Sequence, residues 1–449
     1  MNSHIEETDI LIIGTGWAGL STAITLVEQG MRVCLIESAK APGGRAREVN
    51  YCQYTVDNGT HIMVGAYTQA LALIQKVHKN KNRNENTLFK RQSLNLNYKQ
   101  VNGQSIVLPE VSLPAPLNII FSFLLAKGLS LKDKVRVLMF GIKVKLNLIN
   151  LKSDQSLESF LQKQKQTPDI INNIWAPLCV AIMNTPIAQT STEVFLQVLK
   201  DSFFKNRSAS DLLFFNTSLS DAFPIPAQHY IEQHNGKIYF NKRAVSIIKD
   251  QDKNQYLVKT RFATFAAKHI VIATAPTAAI NLLSDLSCNS KYNELITNLQ
   301  TFTYQPICTV YLQYPELVTS ERTMQGFLGT TVQWMFDKST ETQPNLISVI
   351  ISSQGPHLAM DNSTLIQHIS NELAQFYPHW PSPSDAFVIR EKRATFTASV
   401  NINRIRPSNK TGIEHIWLAG DYTNTLYPAT LEGAVRSGQQ CAQHILSEF

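Results

Sequence analysis

Ile10-Leu11-Ile12-Ile13-Gly14-Thr15-Gly16-Trp17-Ala18-Gly19-Leu20 decides the fold. Four consecutive apolar residues read as a buried strand, and the apolar pattern from Leu20 to Gln29, ending at Gly30, reads as a helix. The glycines between them fit GxGxxG. The first allows a tight turn, the second a close backbone approach to a pyrophosphate, and the third close packing of helix on strand. Arg32 to Glu37 reads as the next strand. Glu37, 23 residues after Gly14, ends it where a carboxylate can accept from ribose hydroxyls. Gly14, Gly16, Trp17, Ala18, Gly19 and Glu37 are therefore candidate ligands of a dinucleotide.

Further along, Gly43-Gly44-Arg45-Ala46-Arg47 places a flexible turn and two guanidinium groups beside a helix N-terminus that already favours negative charge. This favours FAD over NAD. Strand character returns at Lys237 to Ile248, at His269 to Thr274 and at His415 to Ala419, with a last helix from Glu432. A discontinuous nucleotide-binding domain follows, over 1–75, 223–280 and 386–449. The stretches 76–222 and 281–385 are left for a mixed α+β substrate domain.

At 449 residues the chain exceeds one ordinary core. Hydrophobic residues make up 44% and charged residues 17%, a composition that excludes a disordered protein and suggests a surface facing lipid or a greasy substrate. A net charge of +7 is modest for this length and comes without a nucleic-acid motif, so no nucleic-acid partner is expected. Cys34, Cys52, Cys179, Cys288, Cys308 and Cys441 show no CxxC or zinc-type spacing, so reduced thiols and no metal are expected. The first residues run from polar positions into a strand without a basic and apolar leader, and no apolar run reaches the length of a membrane span. The expected location is the cytoplasm, with peripheral membrane contact. Leu131, Val135, Leu138, Met139, Ile142, Leu146 and Ile149 recur at helical spacing among Lys132, Lys134, Arg136, Lys143 and Lys145. That pattern suits a membrane-surface helix and equally a tunnel wall with solvated lysines.

Leu418-Ala419-Gly420-Asp421-Tyr422-Thr423 and Tyr427-Pro428-Ala429-Thr430-Leu431-Glu432-Gly433-Ala434-Val435-Arg436-Ser437-Gly438 resemble the second flavin motif of amine oxidases and carotenoid desaturases. Asp57-Asn58-Gly59-Thr60-His61 resembles a segment that lies under the isoalloxazine in carotenoid desaturases and squalene-pathway flavoproteins. Trp175-Ala176-Pro177-Leu178-Cys179, Met183-Asn184-Thr185-Pro186 and Ser208-Ala209-Ser210-Asp211-Leu212-Leu213 are similar to stretches of the hydroxysqualene dehydroxylase family. With the flavin motifs, that likeness covers nearly the whole chain.

The resemblance implies a two-domain, Rossmann-like α/β fold of the glutathione reductase and amine oxidase type, with noncovalent FAD. It adds Gly43, Gly44, Arg45, Val245, Gly420, Asp421, Leu431, Glu432 and Ala434 to the candidate flavin contacts. A capping carboxylate is an equal reading of Glu432, and a core valine is the competing reading of Val245. The implied reaction is reductive: a C30 isoprenoid alcohol, hydroxysqualene, loses its hydroxyl and gains hydride from reduced flavin, giving squalene, with an unidentified external electron donor. Its proton donor would be His61, Asp211 or Tyr427, with His61 first. Alternatives are a carotenoid desaturase or isomerase, or a flavin-free lipid-binding protein on the same scaffold.

Overall fold

A computed structural model of the chain describes residues 5–79, 85–286, 290–318, 320, 322–340 and 343–449. Cys288 and positions 80–84 of the polar insertion lie outside them.

The opening strand, Ile5–Ile13, is longer than the sequence suggests, and the glycine helix runs Trp17–Val27. Ile10 to Ile13 and Val33 to Ile36 are buried on both faces, as the centre of a parallel sheet requires. Lys237–Tyr239, Val33–Ile36, Ile5–Ile13, Thr264–Ile272 and Ile416–Leu418 form five parallel strands in that order. The strand Thr264–Ile272 serves two neighbours. Its first half joins an antiparallel meander with Gln255–Thr260 and Ala244–Asp250, and its second half pairs with Ile416–Leu418. Lys237 to Ile248 is thus two strands rather than one, broken around Asn241, which takes a left-handed φ of 55°.

Helices cover the sheet. The C-terminal helix, Leu431–Leu446, lies against the glycine helix, and Thr68–His78 and Pro224–Gln233 extend this layer. Ile10, Leu20, Ile24, Leu35, Leu73, Phe223, Val271, Val435 and Cys441 share this core.

A second seven-stranded sheet runs Asp385–Phe396, Tyr304–Gln313, Leu346–Ser352, Trp334–Asp337, Met324–Leu328, Leu96–Gln100 and Ser105–Leu108. Helix Asn362–Phe376 buries Leu365, Ile369 and Leu373 beneath it. Here a sequence boundary moves. The sequence assigns the stretch from 386 to the nucleotide domain, yet Asp385–Phe396 pairs along its length with Tyr304–Gln313. It is the outermost strand of that sheet, and its partner is chosen by long-range pairing that local sequence cannot assign to either sheet. Ile62–Val64, Leu212–Phe215 and Phe89–Gln92 form a small sheet linking the two regions.

Helices Leu117–Leu125 and Leu131–Lys145 stand at one side of the second region. Val137, Phe140 and Val144 point inward, whereas Phe121, Leu125, Leu131, Met139, Ile142 and Leu146 are all exposed. No helix among the described residues is long and apolar enough to cross a membrane. Cys34, Cys179, Cys308 and Cys441 are buried free thiols and Cys52 is exposed.

Candidate functional site

Parallel strands end together, and the groups that follow them converge. The Gly14 amide donates to Ile36 O at 2.8 Å, the Ala273 amide to Ile13 O at 2.8 Å, and the Ala419 amide to Ile272 O at 3.1 Å. Beyond these carboxyl ends lies a crevice of about 680 Å³. Gly14, Gly16, Trp17, Ala18, Glu37, Gly43, Gly44, Arg45, Val245, Gly420, Asp421, Leu431 and Ala434 all line it. Such crevices at the carboxyl edge of open α/β sheets are where dinucleotides bind.

At Gly14, Gly43 and Gly44 a side chain would not fit without strain. Gly14 has φ 108°, and a Cβ on it would meet Ala273 O at 2.7 Å. Gly44, at φ 62°, faces Gly16, whose Cα would lie 3.2 Å from an added Cβ. Gly16 and Gly43 form a bridge that locks the two turns together. Gly19 does not reach the crevice. A Cβ there would come within 2.1 Å of Gly14 O, so its role is the close packing of helix on strand.

Glu37 is held before any ligand arrives. Its carboxylate accepts from the Thr15 amide and hydroxyl at 2.9 Å each, from the Ala39 amide at 2.8 Å and from Ser38 Oγ at 3.1 Å. Burial pushes its pKa up, but these donors outweigh it and hold the carboxyl below its usual range. Two of the donors are rotatable hydroxyls, which can turn away to admit ribose hydroxyls.

Arg45 and Asp421 find each other across 376 residues of sequence. Arg45 Nη2 donates to both Asp421 oxygens at 2.8 Å, and Nη1 donates to Ala394 O at 2.7 Å. The pair joins the amino-terminal and carboxy-terminal motifs across one wall. Val245 sits on the rim, 62% exposed, and is no core valine.

Four predicted residues behave differently. Glu432 is fully buried and does not line the crevice. Its oxygens accept from the Gln69 and Ala70 amides at 3.3 and 2.9 Å and from Arg436 Nε at 2.8 Å, so it caps helix Thr68–His78, not its own. Asp211 pairs with Arg91 at 3.3 Å in a separate small cavity with Arg207 and Glu110. Tyr427 donates to Asp201 Oδ2 at 2.5 Å, beneath the Arg436 guanidinium 4.0 Å from its ring, and is absent from the crevice wall. Gly19 is the fourth, as above.

His61 is the candidate that the fold does place. It lines both the crevice and a second cavity of about 870 Å³ bounded by Asp57, Thr60, Phe214, Tyr311, Phe336 and Lys338. Its Nδ1 lies 3.0 Å from Gly59 O. Burial pushes the ring down to about 4, so it is neutral near pH 7; Nδ1–H donates to Gly59 and Nε2 remains an acceptor.

Sequence reasoning passed over three groups. Asp57, 7% exposed, lines the cavity beside His61, and burial pushes its carboxyl up. Lys242 and Arg243 stand at the crevice rim near Val245. Arg406, 4% exposed, gathers the carbonyls of Asp421, Tyr422, Thr423 and Tyr427. The dibasic pair after a strand carried a local signal and Asp57 opens the segment quoted with His61, whereas Arg406 carried none.

Residues 17–446 match the family described as flavin containing amine oxidoreductase. The chain is 26% identical over 443 residues to hydroxysqualene dehydroxylase of Zymomonas mobilis, covering 97% of this chain and 98% of that protein. It is 23% identical over 468 residues to 15-cis-phytoene desaturase of Glycine max, covering 99% and 80% respectively. Among solved structures, an oxidoreductase from Methanosarcina mazei superposes with a TM-score of 0.76 at 14% identity, over 98% of this chain and 100% of that one.

Proposed function

Because the chain belongs to the flavin containing amine oxidoreductases, we propose that it binds FAD noncovalently and reduces hydroxysqualene to squalene. The end-to-end likeness to the Zymomonas mobilis enzyme carries this reading. The crevice fits the cofactor: two glycine turns that Cβ atoms would fill, amides at a helix N-terminus for the pyrophosphate, Glu37 for ribose, and Arg45 with Asp421 for the ribityl chain. Bound in its reduced form, FAD would supply the hydride that replaces the hydroxyl.

Glu37→Ala should lower FAD affinity by roughly 1.5 to 3 kcal/mol, the worth of a charged hydrogen bond. Equilibrium dialysis checks it, and undiminished affinity would count against the ribose contact.

The chain's own part is proton handling. A neutral His61 offers Nε2 to the substrate hydroxyl as an acceptor and cannot be the acid near pH 7. Asp57 is the better donor, since burial favours its protonated form and it lines the same cavity. It also accepts the Leu219 amide at 2.8 Å, an interaction that Asn preserves. Asp57→Asn should therefore fold normally and slow the reaction by roughly 10² to 10⁴. The wild-type rate should fall as pH rises through the elevated Asp57 pKa, without a step at the ordinary histidine value.

The deciding experiment holds chemically reduced protein without oxygen and adds hydroxysqualene. Flavin reoxidation with matching squalene is the expected result. Bleaching of oxidised flavin by a hydrocarbon, with a more unsaturated product, would replace this reading with a desaturase, which the phytoene desaturase likeness favours.

Such a substrate partitions into membrane: 30 carbons at ~0.8 kcal/mol each amount to of order 20 kcal/mol out of water. A narrow apolar cavity lined by Ile120, Phe123, Val137, Phe140, Trp175 and Leu178 lies between the two exposed-face helices. Their outward residues form the docking surface in this reading. Lys134, Arg136 and Lys143 are engaged by Leu124 O, Lys165 O and Gln164 Oε1, which turns attention from the basic residues to the apolar ones. Changing Phe121, Leu125, Leu131 and Met139 together to Ser should weaken sedimentation with anionic vesicles at least about tenfold. Unaltered binding would remove these helices from the membrane contact.

A further inference from the structure

The end of the parallel sheet remote from the crevice carries a cluster that the flavin chemistry does not use. His269 sits in strand Thr264–Ile272 opposite Ile10, and His415 immediately precedes strand Ile416–Leu418. The Ile270 amide donates to His415 O at 2.9 Å, which fixes the two histidines side by side, with ring centroids 4.4 Å apart. Glu448, just past helix Leu431–Leu446, reaches over them. Its Oε2 is 3.2 Å from His415 Nδ1 and 4.0 Å from His269 Nδ1, and one ligating atom from each residue lies within 4.8 Å of the others.

We propose that His269, His415 and Glu448 form a binding site for a divalent ion of the zinc type, which clasps the end of the C-terminal helix to the sheet. Two imidazoles and one carboxylate are a donor set suited to such ions. Bonds of about 2.0 to 2.1 Å in a tetrahedral arrangement place neighbouring ligand atoms roughly 3.3 Å apart. The His415–Glu448 separation already meets this, the 4.0 Å gap from His269 to Glu448 closes through side-chain adjustment of the exposed Glu448, and the imidazole donors, within 4.8 Å of each other, close by a small turn of the His415 ring.

The surroundings agree. His415 Nε2 lies 3.5 Å from Glu414 Oε1, the outer carboxylate that typically orients a ligating imidazole and strengthens it as a donor. His269 is 1% exposed and its Nε2 has no partner among the described residues, so the ring is held by packing against His415, Trp417 and Phe449. Burial, with His415 beside it, pushes His269 down to about 4, leaving the ring unprotonated and able to ligate. The competing contact is weak: Trp417 Nε1 donates to His269 Nδ1 at 3.3 Å, a long hydrogen bond that a metal would displace.

Titration calorimetry with zinc chloride on the full chain, stripped with chelator and desalted, tests this. One equivalent should bind, and the melting temperature should rise by a few degrees at saturating zinc. His415→Ala and Glu448→Gln should each weaken binding by at least about tenfold. His444→Ala removes a neighbouring histidine stacked 6.5 Å from Trp417 and should leave binding unchanged. Both variants keep the buried His269, and Glu448→Gln, at the exposed member of the three, reports on ligation without altering the packing around that ring. An absence of binding in the wild type, binding that survives both variants, or loss confined to His444→Ala would overturn the proposal.

Discussion

Arg406→Leu should cost at least about 3 kcal/mol of stability and release the flavin, because it removes one cation from the centre of a buried network and orphans its acceptors. Arg406 donates to Tyr427 O at 2.6 Å, Asp421 O at 2.9 Å, Tyr422 O at 3.4 Å and Thr425 Oγ1 at 2.9 Å, and also to Thr423 O. Its guanidinium lies 5.1 Å from the Phe396 ring. Burial pushes its pKa down to about 10, so it stays charged at neutral pH. These bonds set the path of 421–427, which carries Asp421 into the crevice. Arg406→Lys keeps the charge but not the planar fork and should recover only part of the loss. Denaturant unfolding and flavin content measure both effects. Unfolding and flavin content equal to wild type in the leucine variant would show that 421–427 holds its path without the guanidinium.

Gly438→Ala should be nearly as damaging, although it adds only one methyl group. Gly438 faces the glycine helix where the two helices pack closely. A Cβ there would lie 2.3 Å from Ala18 O, 2.9 Å from Ser21 Cβ and 3.0 Å from Thr22 N. Two of these are backbone atoms that cannot swing aside, so the helices must part by a large fraction of an ångström. Overpacking of this kind costs about 1 to 3 kcal/mol. The displacement also reaches the crevice, since Ala18 on one helix and Ala434 on the other both line it. The expected result is a lower melting temperature together with weaker flavin retention. A variant that melts and binds as wild type would mean that the helices tolerate separation at this point. Gly438 belongs by sequence to the segment that resembles a flavin motif, and the structure makes it a helix-packing residue.

The sequence by itself determined the elements whose causes are local. Gly14, Gly43 and Gly44 are legible because φ above zero and close backbone approach exclude a side chain whatever lies far away. The run Ile10 to Ile13 is legible because a strand buried on both faces needs unbroken apolar residues. Glu37 follows from its distance beyond the glycines. The family likeness supplied Arg45, Asp421 and His61, and their places on the crevice wall came with the fold. Only the tertiary structure decided what the remaining polar groups do. Glu432 meets an amide 362 residues away, Arg45 is held by Asp421 at 376, Tyr427 by Asp201 at 226, and the strand Asp385–Phe396 belongs to the second sheet. A buried charge must find donors or acceptors, but chain spacing does not say which ones, because the choice is made when distant segments pack and exclude water from the groups between them.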